Sequence, residues 1–393
     1  MRILFVSPYC LLDTTSGAAL ATRELLEQLV LLGFPCTAVT ASIFDATRQV
    51  SLEEMVAQFS TAINARLDPS ENAYFVEIPY HGITHTILKT ARSQRPFLAP
   101  QEEAALLSLV DRKISDFHPD LLLTYGGLSA ERKLHRLAHQ KTIPVVFYLH
   151  NGQYRKAETF SDVDLILVPS NFLVDFYSQK LGIRSSVLYP FFRSDHCLAT
   201  DRNPRFVTFI NPVPEKGLTL FARLVAEALQ QLPRAEFLVV EGRWTEADVG
   251  QTGLKLDRIP NVRVIPHQKD VRKVYAETRV LLHPSFWVEA FGRTIVEAQL
   301  NGIPVIASRR GGIPEGLNGA GFLLDIPDRC TKNYMAIPSP EEVQPWIDQL
   351  RVLLENKEAY DEAQRRAIQA AQAFRPDKIV ERAIEMFNEL LHK

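Results

Sequence analysis

The sequence predicts an α/β protein built from two doubly wound domains, each with a parallel β-sheet. Short apolar runs such as RILFVS and PDLLLTY alternate with segments of helical periodicity along the chain. The runs are continuously apolar, which is typical of strands buried on both faces of a parallel sheet. A segment rich in proline and polar residues divides the alternation into two halves. The 393 residues suffice for two to three domains at roughly 150 residues each.

Residues 1–190 are predicted to form the first domain. We interpret MRILFVSP as its first buried strand rather than as a secretory signal, because Pro8 and Asp13 interrupt the apolar run. The helical segment GAALATRELLEQLVLLG ends at Gly33, and the strand CTAVTAS follows. Residues 52–67 have the periodicity of an amphipathic helix. Further strands are predicted at NAYFVEIP, PDLLLTY, PVVFYLH and DLILVPS.

The second domain is predicted over residues 206–375, where the alternation of strands and helices restarts. Residues 191–205 combine prolines with polar residues and are predicted to be a linker. A last helix is predicted within residues 376–393 and is expected to pack back on the first domain. Two similar α/β halves predict a ligand in a cleft between them, at the carboxyl ends of the strands.

Composition excludes several classes of protein. The chain carries 44 basic and 46 acidic residues, a net charge of −2, so it lacks the basic excess of a nucleic-acid binder. No apolar run reaches 18 residues, so no transmembrane helix is predicted. The four cysteines are far apart and form no C-x-x-C pair, which favours a reducing, cytoplasmic compartment. They are Cys10, Cys36, Cys197 and Cys330.

The strongest chemical signal lies in residues 283–315. Glu289 and Glu297 are eight residues apart, with Gly292 between them, and a predicted helix ends at Asn301. On one continuous helix, eight residues advance roughly 800°, so the two side chains would diverge by about 80°. The glycine therefore favours a loop position for Glu289 and a helical position for Glu297. A helix N-terminus with free amides binds anions, and carboxylates accept hydrogen bonds from hydroxyl groups.

Two cations are predicted near the same edge of the second sheet. Lys216 closes a strand-to-helix turn in NPVPEKG, and Arg243 follows the next strand in VVEGRW. An ammonium neutralises phosphate as a point charge. Either residue alone is compatible with an ordinary solvated side chain, whereas two converging cations suit a diphosphate. Together with the glutamates they suit a ligand that has phosphate and hydroxyl groups, such as a nucleotide sugar.

The second half of the chain resembles glycosyltransferase family 4, a family of retaining enzymes with the GT-B fold. The motifs that carry the resemblance are PEKG (214–217), EAFGRTIVE (289–297), GIPVIAS (302–308) and GGIPE (311–315). MRILFVSP with its following Ser-Gly, HPDLLLTYGG, VVFYLHN and DLILVPSNFL extend it more weakly over the first half. The resemblance implies two Rossmann-like domains that face a cleft.

The resemblance also implies roles for the residues of the second half. Lys216 would bind the donor diphosphate. Glu289 would hold hydroxyl groups of the donor sugar, with help from the backbone amides of Phe291 and Gly292. Glu297 would hold the ribose hydroxyl groups.

Three further residues receive roles from the resemblance. Gly17 would let the first loop approach the phosphates and the sugar closely. His150, at the end of PVVFYLH, would lie beside the transferred sugar. The loop with His267 would meet the base, largely through backbone groups. The implied mechanism is a front-face transfer in which the leaving phosphate helps to deprotonate the acceptor, so no dedicated protein base is expected.

The sequence departs from the family pattern at two places. The family usually has an arginine five residues before the lysine, and Asn211 stands there instead. Arg243 and Arg293 are the candidates for the missing cation. The usual motif after the last strand of the first half is replaced by YPFF (189–192), so no contact from this hinge is predicted.

The function expected from these observations is retaining transfer of a sugar from a nucleotide diphosphate donor, with UDP favoured on family frequency. No metal and no cofactor are expected, and Asp162-Val163-Asp164 is interpreted as a solvated strand entry rather than a metal motif. The acceptor, which could be a saccharide, a lipid-linked sugar or a small molecule, and the oligomeric state stay open. So do two alternatives: a nucleotide-sugar epimerase or hydrolase, and a catalytically silent binding subunit. The basic and aromatic segment 89–97 leaves weak contact with the inner face of a membrane open beside a plain solvated loop.

Overall fold

The protein is described by a computed structural model that covers residues 1–45, 49–57, 59, 65–68, 71–94 and 98–392. The strands are β1 Ile3–Tyr9, β2 Cys36–Ile43, β3 Ala65–Asp68, β4 Ala73–Tyr80, β5 Ile83–Leu88, β6 Leu121–Thr124, β7 Val145–Tyr148, β8 Leu165–Val168, β9 Ser186–Val187, β10 Phe206–Ile210, β11 Phe237–Val240, β12 Val262–Ile265, β13 Thr278–His283, β14 Val305–Ser308 and β15 Phe322–Leu324. The α-helices are α1 Gly17–Leu31, α2 Leu52–Val56, α3 Pro100–Phe117, α4 Ser129–Gln140, α5 Asn171–Leu181, α6 Ser194–Cys197, α7 Leu218–Gln231, α8 Glu246–Gln251, α9 Arg272–Glu277, α10 Arg293–Leu300, α11 Ile313–Leu317, α12 Asp328–Lys332, α13 Pro340–Glu355, α14 Lys357–Ala371 and α15 Pro376–Leu391.

The chain divides into two compact units of similar size. Unit 1 comprises Met1–Pro169, Leu173–Tyr189 and Asp377–Lys393. Unit 2 comprises Ser170–Phe172 and Pro190–Pro376. Each unit is an α/β body with its own sheet, as the sequence predicts.

The sheet of unit 1 has the strand order β3-β4-β5-β2-β1-β6-β7-β8-β9. Its pairs are parallel except at β4, which is antiparallel to both β3 and β5. The helix predicted over residues 52–67 is therefore wrong in its second part. Helix α2 ends at Val56, and Arg66 pairs with Phe75 across the β3–β4 ladder. Pairing with a neighbouring strand overrides the local helical periodicity here.

The sheet of unit 2 is entirely parallel, with the strand order β12-β11-β10-β13-β14-β15. In chain order this is 3-2-1-4-5-6, the order of a dinucleotide-binding Rossmann sheet. The order reverses between β10 and β13, and ligands of open α/β sheets bind outside the carboxyl ends of the strands at such a point. The residues that follow Ile210 and His283 therefore occupy the predicted ligand position of this unit.

The segment 191–205, predicted to be a linker, is part of unit 2. It contains α6, whose Cys197 is buried in an apolar cluster with Tyr275 and Ile295. The side-chain amide of Asn301 donates to the Cys197 carbonyl over 2.9 Å and accepts from the Ala199 amide over 2.8 Å. The segment is thus fixed to unit 2 by side-chain hydrogen bonds to its backbone and is not a free connection.

The last helix, α15, spans Pro376–Leu391 and so lies within the predicted range of 376–393. Its residues from Asp377 onward cluster with unit 1, although they follow unit 2 in sequence. Unit 1 is thus assembled from both ends of the chain.

Two histidines of unit 1 are buried without hydrogen-bond partners among the described residues. They are His85 on β5 and His135 on α4. Burial lowers the pKa of His85 to about 3, helped by Arg23 and His81, and it lowers the pKa of His135 to about 4. Both rings therefore stay neutral in the folded chain near neutral pH.

We expect unit 1 to lose stability as the pH falls below about 6.5, the usual pKa of an unfolded histidine. Because the folded pKa values are lowered, the unfolded chain binds more protons between pH 6.5 and the folded values, and each histidine costs about 1.4 kcal/mol per pH unit. Denaturant unfolding at pH 7.5 and 5.5 measures the loss. His135→Leu should reduce the pH dependence, whereas His392→Leu, at an exposed position, should not. An equal dependence in both variants would contradict the assignment.

Candidate functional site

The predicted cation and carboxylate of unit 2 meet at the carboxyl ends of β10 and β13. Lys216 ends a 3₁₀ turn, Pro214–Lys216, that follows β10. Glu289 lies in the loop between β13 and α10. The Lys216 ammonium donates a hydrogen bond to Glu289 Oε1. Both residues therefore lie at the carboxyl edge of the unit 2 sheet.

Backbone contacts hold the two loops together. Gly217 has φ +88°, and a Cβ there would lie 2.0 Å from the carbonyl oxygen of Pro284, so only glycine fits. The carbonyl of Glu215 accepts hydrogen bonds from the amides of Phe286 and Trp287, both over 2.9 Å. The lysine is thus held close to the β13–α10 loop by the backbone and not only by its own side chain.

Glu289 is a buried carboxylate in a polar pocket. It is 8% exposed, and its Oε1 accepts a hydrogen bond from Ser285 Oγ over 2.8 Å. His283 Nε2 lies 3.6 Å from the same oxygen. Burial acts to raise the pKa of Glu289, but the Lys216 ammonium and His283 outweigh it and hold the pKa well below its usual range. The side chain is therefore an anion and an obligate hydrogen-bond acceptor.

Three glycines at and before α11 support the loop that carries Glu289. A Cβ on Gly311 or Gly312 would lie 2.3 or 2.2 Å from the carbonyl oxygens of Glu289 and Ala290, respectively. A Cβ on Gly316 would lie 2.7 Å from the carbonyl of the next residue, Phe291. The Gly312 amide also donates to the Glu289 carbonyl over 2.8 Å. Glycine is thus required at these three positions, because the carbonyl groups of Glu289, Ala290 and Phe291 leave no room for a Cβ atom.

Glu297 occupies a separate environment on α10, as the spacing argument predicted. The Tyr275 hydroxyl donates to Glu297 Oε2 over 2.8 Å, and an Arg293 guanidinium nitrogen lies 3.6 Å from Oε1. The Arg293 guanidinium also lies over the ring of Phe192, 4.7 Å from its centre. Arg293 thus orders Glu297 and stacks on an aromatic ring.

The loop residues before α10 have divided roles. The ring of Phe291 is 3% exposed and packs edge-on against Phe374, with ring centres 5.1 Å apart. Its side chain therefore belongs to the core, which leaves only its backbone for the predicted ligand contact. Gly292 caps α10 with φ +97°, a conformation that favours glycine.

Asn211 and Arg243 are joined at the ends of β10 and β11. Asn211 adopts φ +63°, which asparagine tolerates better than most residues, and its Oδ1 accepts the Arg243 amide over 2.9 Å. The Arg243 guanidinium donates to Glu215 Oε1 over 2.9 Å. Both predicted cations at this edge are therefore paired with carboxylates, Lys216 with Glu289 and Arg243 with Glu215.

The remaining predicted residues lie at the carboxyl edges of their sheets. His267 is exposed just after β12 of unit 2. In unit 1, His150 follows β7, and its Nε2 lies 3.1 Å from Thr22 Oγ1. The ring centre of His150 is 4.1 Å from that of Tyr148. Gly17 begins α1 with an ordinary φ and open space around its Cα, so neither backbone nor packing within unit 1 requires a glycine there.

Asp162 and Asp164 lie just before β8, at the amino edge of the unit 1 sheet. Asp164 accepts hydrogen bonds from the Val145 amide over 2.7 Å and from His139 Nε2, 2.9 Å away. Asp162 lies 3.8 Å from Arg136. Both residues thus stand at a strand entry, where they are paired with protein groups and not only solvated. Over the residues that the structure describes, no group of three or more His, Cys, Asp or Glu side chains could hold a metal ion.

Four residues that build the site were not predicted from the sequence: Glu215, Tyr275, His283 and Ser285. Two of them carry a local signal, because His283 ends an apolar strand run and Ser285 follows it two residues later. Polar side chains at the carboxyl end of a predicted parallel strand are candidates for the ligand edge. Tyr275 carries no such signal, since it reaches Glu297 from a helix that precedes β13.

The architecture of two Rossmann-like α/β units is the GT-B fold. Solved structures support this assignment along the whole chain. Anabaena HepE, in complex with UDP and glucose, aligns with a TM-score of 0.70 and 18% identity over 99% of this chain and 100% of its own. Sucrose-phosphate synthase from Thermosynechococcus elongatus aligns with a TM-score of 0.67 and 14% identity over 100% and 99% of the two chains.

The sequence comparisons concentrate on unit 2. Residues 204–338 match the family model described as "Glycosyl transferases group 1". The phosphatidylinositol N-acetylglucosaminyltransferase gpi3 subunit of Schizosaccharomyces pombe is 32% identical over 105 residues, which are 26% of this chain and 23% of that protein. The D-inositol 3-phosphate glycosyltransferase of Segniliparus rotundus is 30% identical over 160 residues, 37% of this chain and 35% of that protein. The matches thus span about a third or less of these relatives.

Within the described ranges, no helix combines the length and apolar character needed to cross a membrane. The four cysteines are buried and unbridged.

Proposed function

We propose that the protein is a glycosyltransferase that transfers a sugar from a nucleotide diphosphate donor, with retention of configuration, to an acceptor still to be identified. The observation that carries the proposal is the Lys216–Glu289 pair. It stands where the strand order of unit 2 reverses, inside the segment that matches the glycosyltransferase model. A cation for a diphosphate and an anionic acceptor for hydroxyl groups lie in contact there.

The arrangement supports a division of labour between the two ends of the donor. Lys216, with Arg243 once it leaves Glu215, would stabilise the departing diphosphate by charge placed in advance. Glu289 would hold the sugar hydroxyl groups, because its low pKa keeps it a permanent acceptor. Glu297 would hold the ribose, and His267 would lie near the base. His150 and Gly17 of unit 1 would border the transferred sugar.

UDP is the nucleotide we favour, and a cytoplasmic location is consistent with four unbridged cysteines. Segment 89–97 is the candidate for weak membrane contact. Its residues 95–97 lie outside the described part of the chain, so that proposal rests on composition alone.

A screen of donors against acceptors, read by mass spectrometry, tests the proposal. The full chain is incubated with UDP-, GDP- and ADP-sugars in turn and with panels of saccharides, phosphorylated sugars and lipid-linked sugars. A product heavier than an acceptor by one sugar residue supports transfer, and the anomeric configuration by NMR tests retention. Donor consumption without any acceptor would favour the hydrolase or epimerase alternative, and binding without turnover would favour the silent subunit.

We expect Glu289→Gln and Glu297→Gln to act on different parts of the donor. Glu289→Gln should cut kcat/KM for the nucleotide sugar while leaving the affinity for free UDP unchanged or raised, because Lys216 loses its carboxylate partner. Glu297→Gln should lower the affinity for free UDP by roughly tenfold, the effect of losing one hydrogen bond to a charged group. Calorimetry with UDP and initial rates with the donor separate the two effects.

Tyr275→Phe is the control for Glu297, because it removes only the hydroxyl that donates to Oε2. It should lower the affinity for UDP less than Glu297→Gln does. If both glutamate variants keep wild-type UDP affinity and wild-type rates, the two carboxylates serve only the fold, and the site assignment is wrong.

Turnover is expected to survive chelation of divalent metals. Cationic side chains and helix N-terminal amides would take the place of a metal at the leaving diphosphate. Excess EDTA should therefore leave most of the transfer rate intact. Loss of activity in EDTA, with recovery on adding one divalent ion, would contradict this expectation.

A further inference from the structure

A basic hollow on unit 1 is not used by the proposed donor chemistry. Five residues line it, and its volume is about 430 Å³, within the roughly 300–1,000 Å³ that is usual for small-molecule sites. The lining carries three cations and one acid. These residues are Arg132, Arg155, Lys156, Ala157 and Glu158.

The hollow lies on the ligand-binding side of the unit 1 sheet. Arg132 belongs to α4, which follows β6, and Arg155 and Lys156 lie in the segment that follows β7. Strands β6 and β7 are parallel neighbours. Both segments therefore leave the carboxyl ends of adjacent strands, the edge at which open α/β sheets bind ligands.

The segment that presents Arg155 and Lys156 is anchored by two tyrosines. The Tyr154 hydroxyl donates to the Gly126 carbonyl over 3.0 Å, and the Tyr154 amide donates to the Tyr177 hydroxyl over 3.2 Å. That hydroxyl in turn donates to the Asn151 carbonyl over 2.6 Å. The backbone that precedes Arg155 and Lys156 is thus fixed by these hydrogen bonds, so it has little order to gain on binding.

The residues that line the hollow leave it with a net positive charge. Within the described ranges, none of the three cations forms an ion pair with a carboxylate, and Arg155 donates instead to the Gly152 carbonyl over 3.0 Å. With Glu158 as the acid of the lining, the formal charge of the hollow is 3 − 1 = +2. Lys180 contributes further positive charge nearby. Burial lowers the pKa of its ammonium most, and repulsion from the Arg155 guanidinium lowers that pKa further. A dianion would relieve this repulsion.

We infer that the hollow binds the phosphate group of a phosphorylated ligand. Two guanidinium groups and one ammonium line the hollow, and all three are donors that bind phosphate oxygens. The binding site itself does not depend on the donor chemistry of unit 2. Only the extension that the ligand is the acceptor, and so a phosphorylated compound, rests on the proposed function.

Chemical footprinting of the full chain tests the inference at the level of single lysines. The protein is acetylated with N-hydroxysuccinimidyl acetate at constant ionic strength, in chloride, in inorganic phosphate or in glucose 6-phosphate, and each lysine is quantified by mass spectrometry. At a ligand concentration of about ten times Kd, acetylation of Lys156 should fall by about tenfold. Lys141, paired with Asp111 on the same unit, should react equally in all three solutions.

A variant and its control sharpen the test. Arg155→Gln should weaken the protection of Lys156 roughly tenfold, the usual effect of one charged hydrogen bond. Arg184→Gln removes an exposed arginine that lies just before β9, at the opposite edge of the sheet, and should leave the protection unchanged. If phosphate protects Lys216 but not Lys156 in the unmodified chain, or if Arg155→Gln has no effect, the inference is overturned.

Vesicle flotation separates the two sources of such a phosphate. Phosphatidylcholine vesicles with and without phosphatidic acid are mixed with the chain and with the Arg155→Gln variant. Protection by glucose 6-phosphate without co-flotation supports a soluble phosphorylated compound. Co-flotation that requires phosphatidic acid and is lost in Arg155→Gln supports a lipid headgroup. Co-flotation that the variant retains, with no protection of Lys156, contradicts the site.

Discussion

Replacing Lys216 by glutamine is expected to lower the rate of sugar transfer by about 100- to 1,000-fold. Lys216 stands in a backbone turn fixed by Gly217, and its side chain is 22% exposed, so the ammonium faces the ligand edge without free rotation in water. A diphosphate that leaves the sugar gains negative charge, and a preorganised cation stabilises that charge more than the ground state. A glutamine side chain of similar length offers a hydrogen bond but no charge.

The same variant should also lower the affinity for free UDP, because the diphosphate is charged before the reaction as well. Initial rates and calorimetry measure both losses. Lys255→Gln is the control, since Lys255 is exposed before β12 at the amino edge of the same sheet. A Lys216→Gln variant with wild-type kcat and wild-type UDP affinity would remove the lysine from the site.

The stability of this variant shows whether its loss of activity comes from the missing charge or from a damaged fold. Without Lys216, the carboxylate of Glu289 stays buried beside Ser285 and His283 without its ammonium, and its pKa should rise. The double variant Lys216→Gln/Glu289→Gln removes both charges and should regain most of the lost stability, because an unpaired buried charge costs more than a neutral pair. It should not regain activity. Recovery of transfer in the double variant would mean that Lys216 acts only on the fold.

Much of unit 2 was predictable because its signals are local. The carboxyl end of an apolar strand, a glycine and a helix start can each be recognised along the chain, and parallel strands bring such ends to one edge. This is why the sequence places Lys216 and Glu289 together and separates Glu289 from Glu297. The same logic fails for Arg243, whose pairing with Glu215 depends on the direction of one exposed and one half-buried side chain.

Other features could not be predicted because their determinants are distant in sequence. Segment 191–205 reads as a linker, yet the amide of Asn301, about a hundred residues away, fixes it in unit 2. The sequence of strand β3 predicts the end of a helix, but the segment forms a strand because it pairs with β4. The stacking of Arg293 on Phe192 likewise joins residues a hundred positions apart. Local composition carries no information on such contacts.

Replacing Gly312 by alanine is expected to destabilise unit 2 by about 3 kcal/mol, near the upper end for overpacking a fixed core. Gly312 has φ −80°, so an alanine suffers no backbone strain there. Its Cβ would lie 2.2 Å from the carbonyl oxygen and 2.8 Å from the carbonyl carbon of Ala290, which are backbone atoms that cannot rotate away like a side chain. Relief requires the Glu289–Phe291 loop to move, which separates Glu289 from Lys216.

Alanine substitutions at two other glycines of unit 2 distinguish the cost of a steric collision from the cost of backbone strain. Gly319 has φ +77° but open space around its Cα, so Gly319→Ala suffers strain without collision and should cost about 1 kcal/mol. Gly250, in α8, has neither constraint, and Gly250→Ala should stabilise the chain by about 0.5–1 kcal/mol. The order of stability expected from denaturant unfolding is therefore Gly250→Ala above wild type, Gly319→Ala slightly below it and Gly312→Ala far below it.

Activity should not follow that order of stability alone. Gly319→Ala leaves the Glu289 loop untouched, so its transfer rate at a temperature where it is folded should equal the wild-type rate. Gly312→Ala shifts the loop, so its rate should fall by a further factor of about 100, the loss expected when a reacting group is displaced by an ångström. Rates measured well below both unfolding transitions make the comparison. A folded Gly312→Ala variant that transfers sugar at the wild-type rate would show that the position of the Glu289 loop does not govern the reaction.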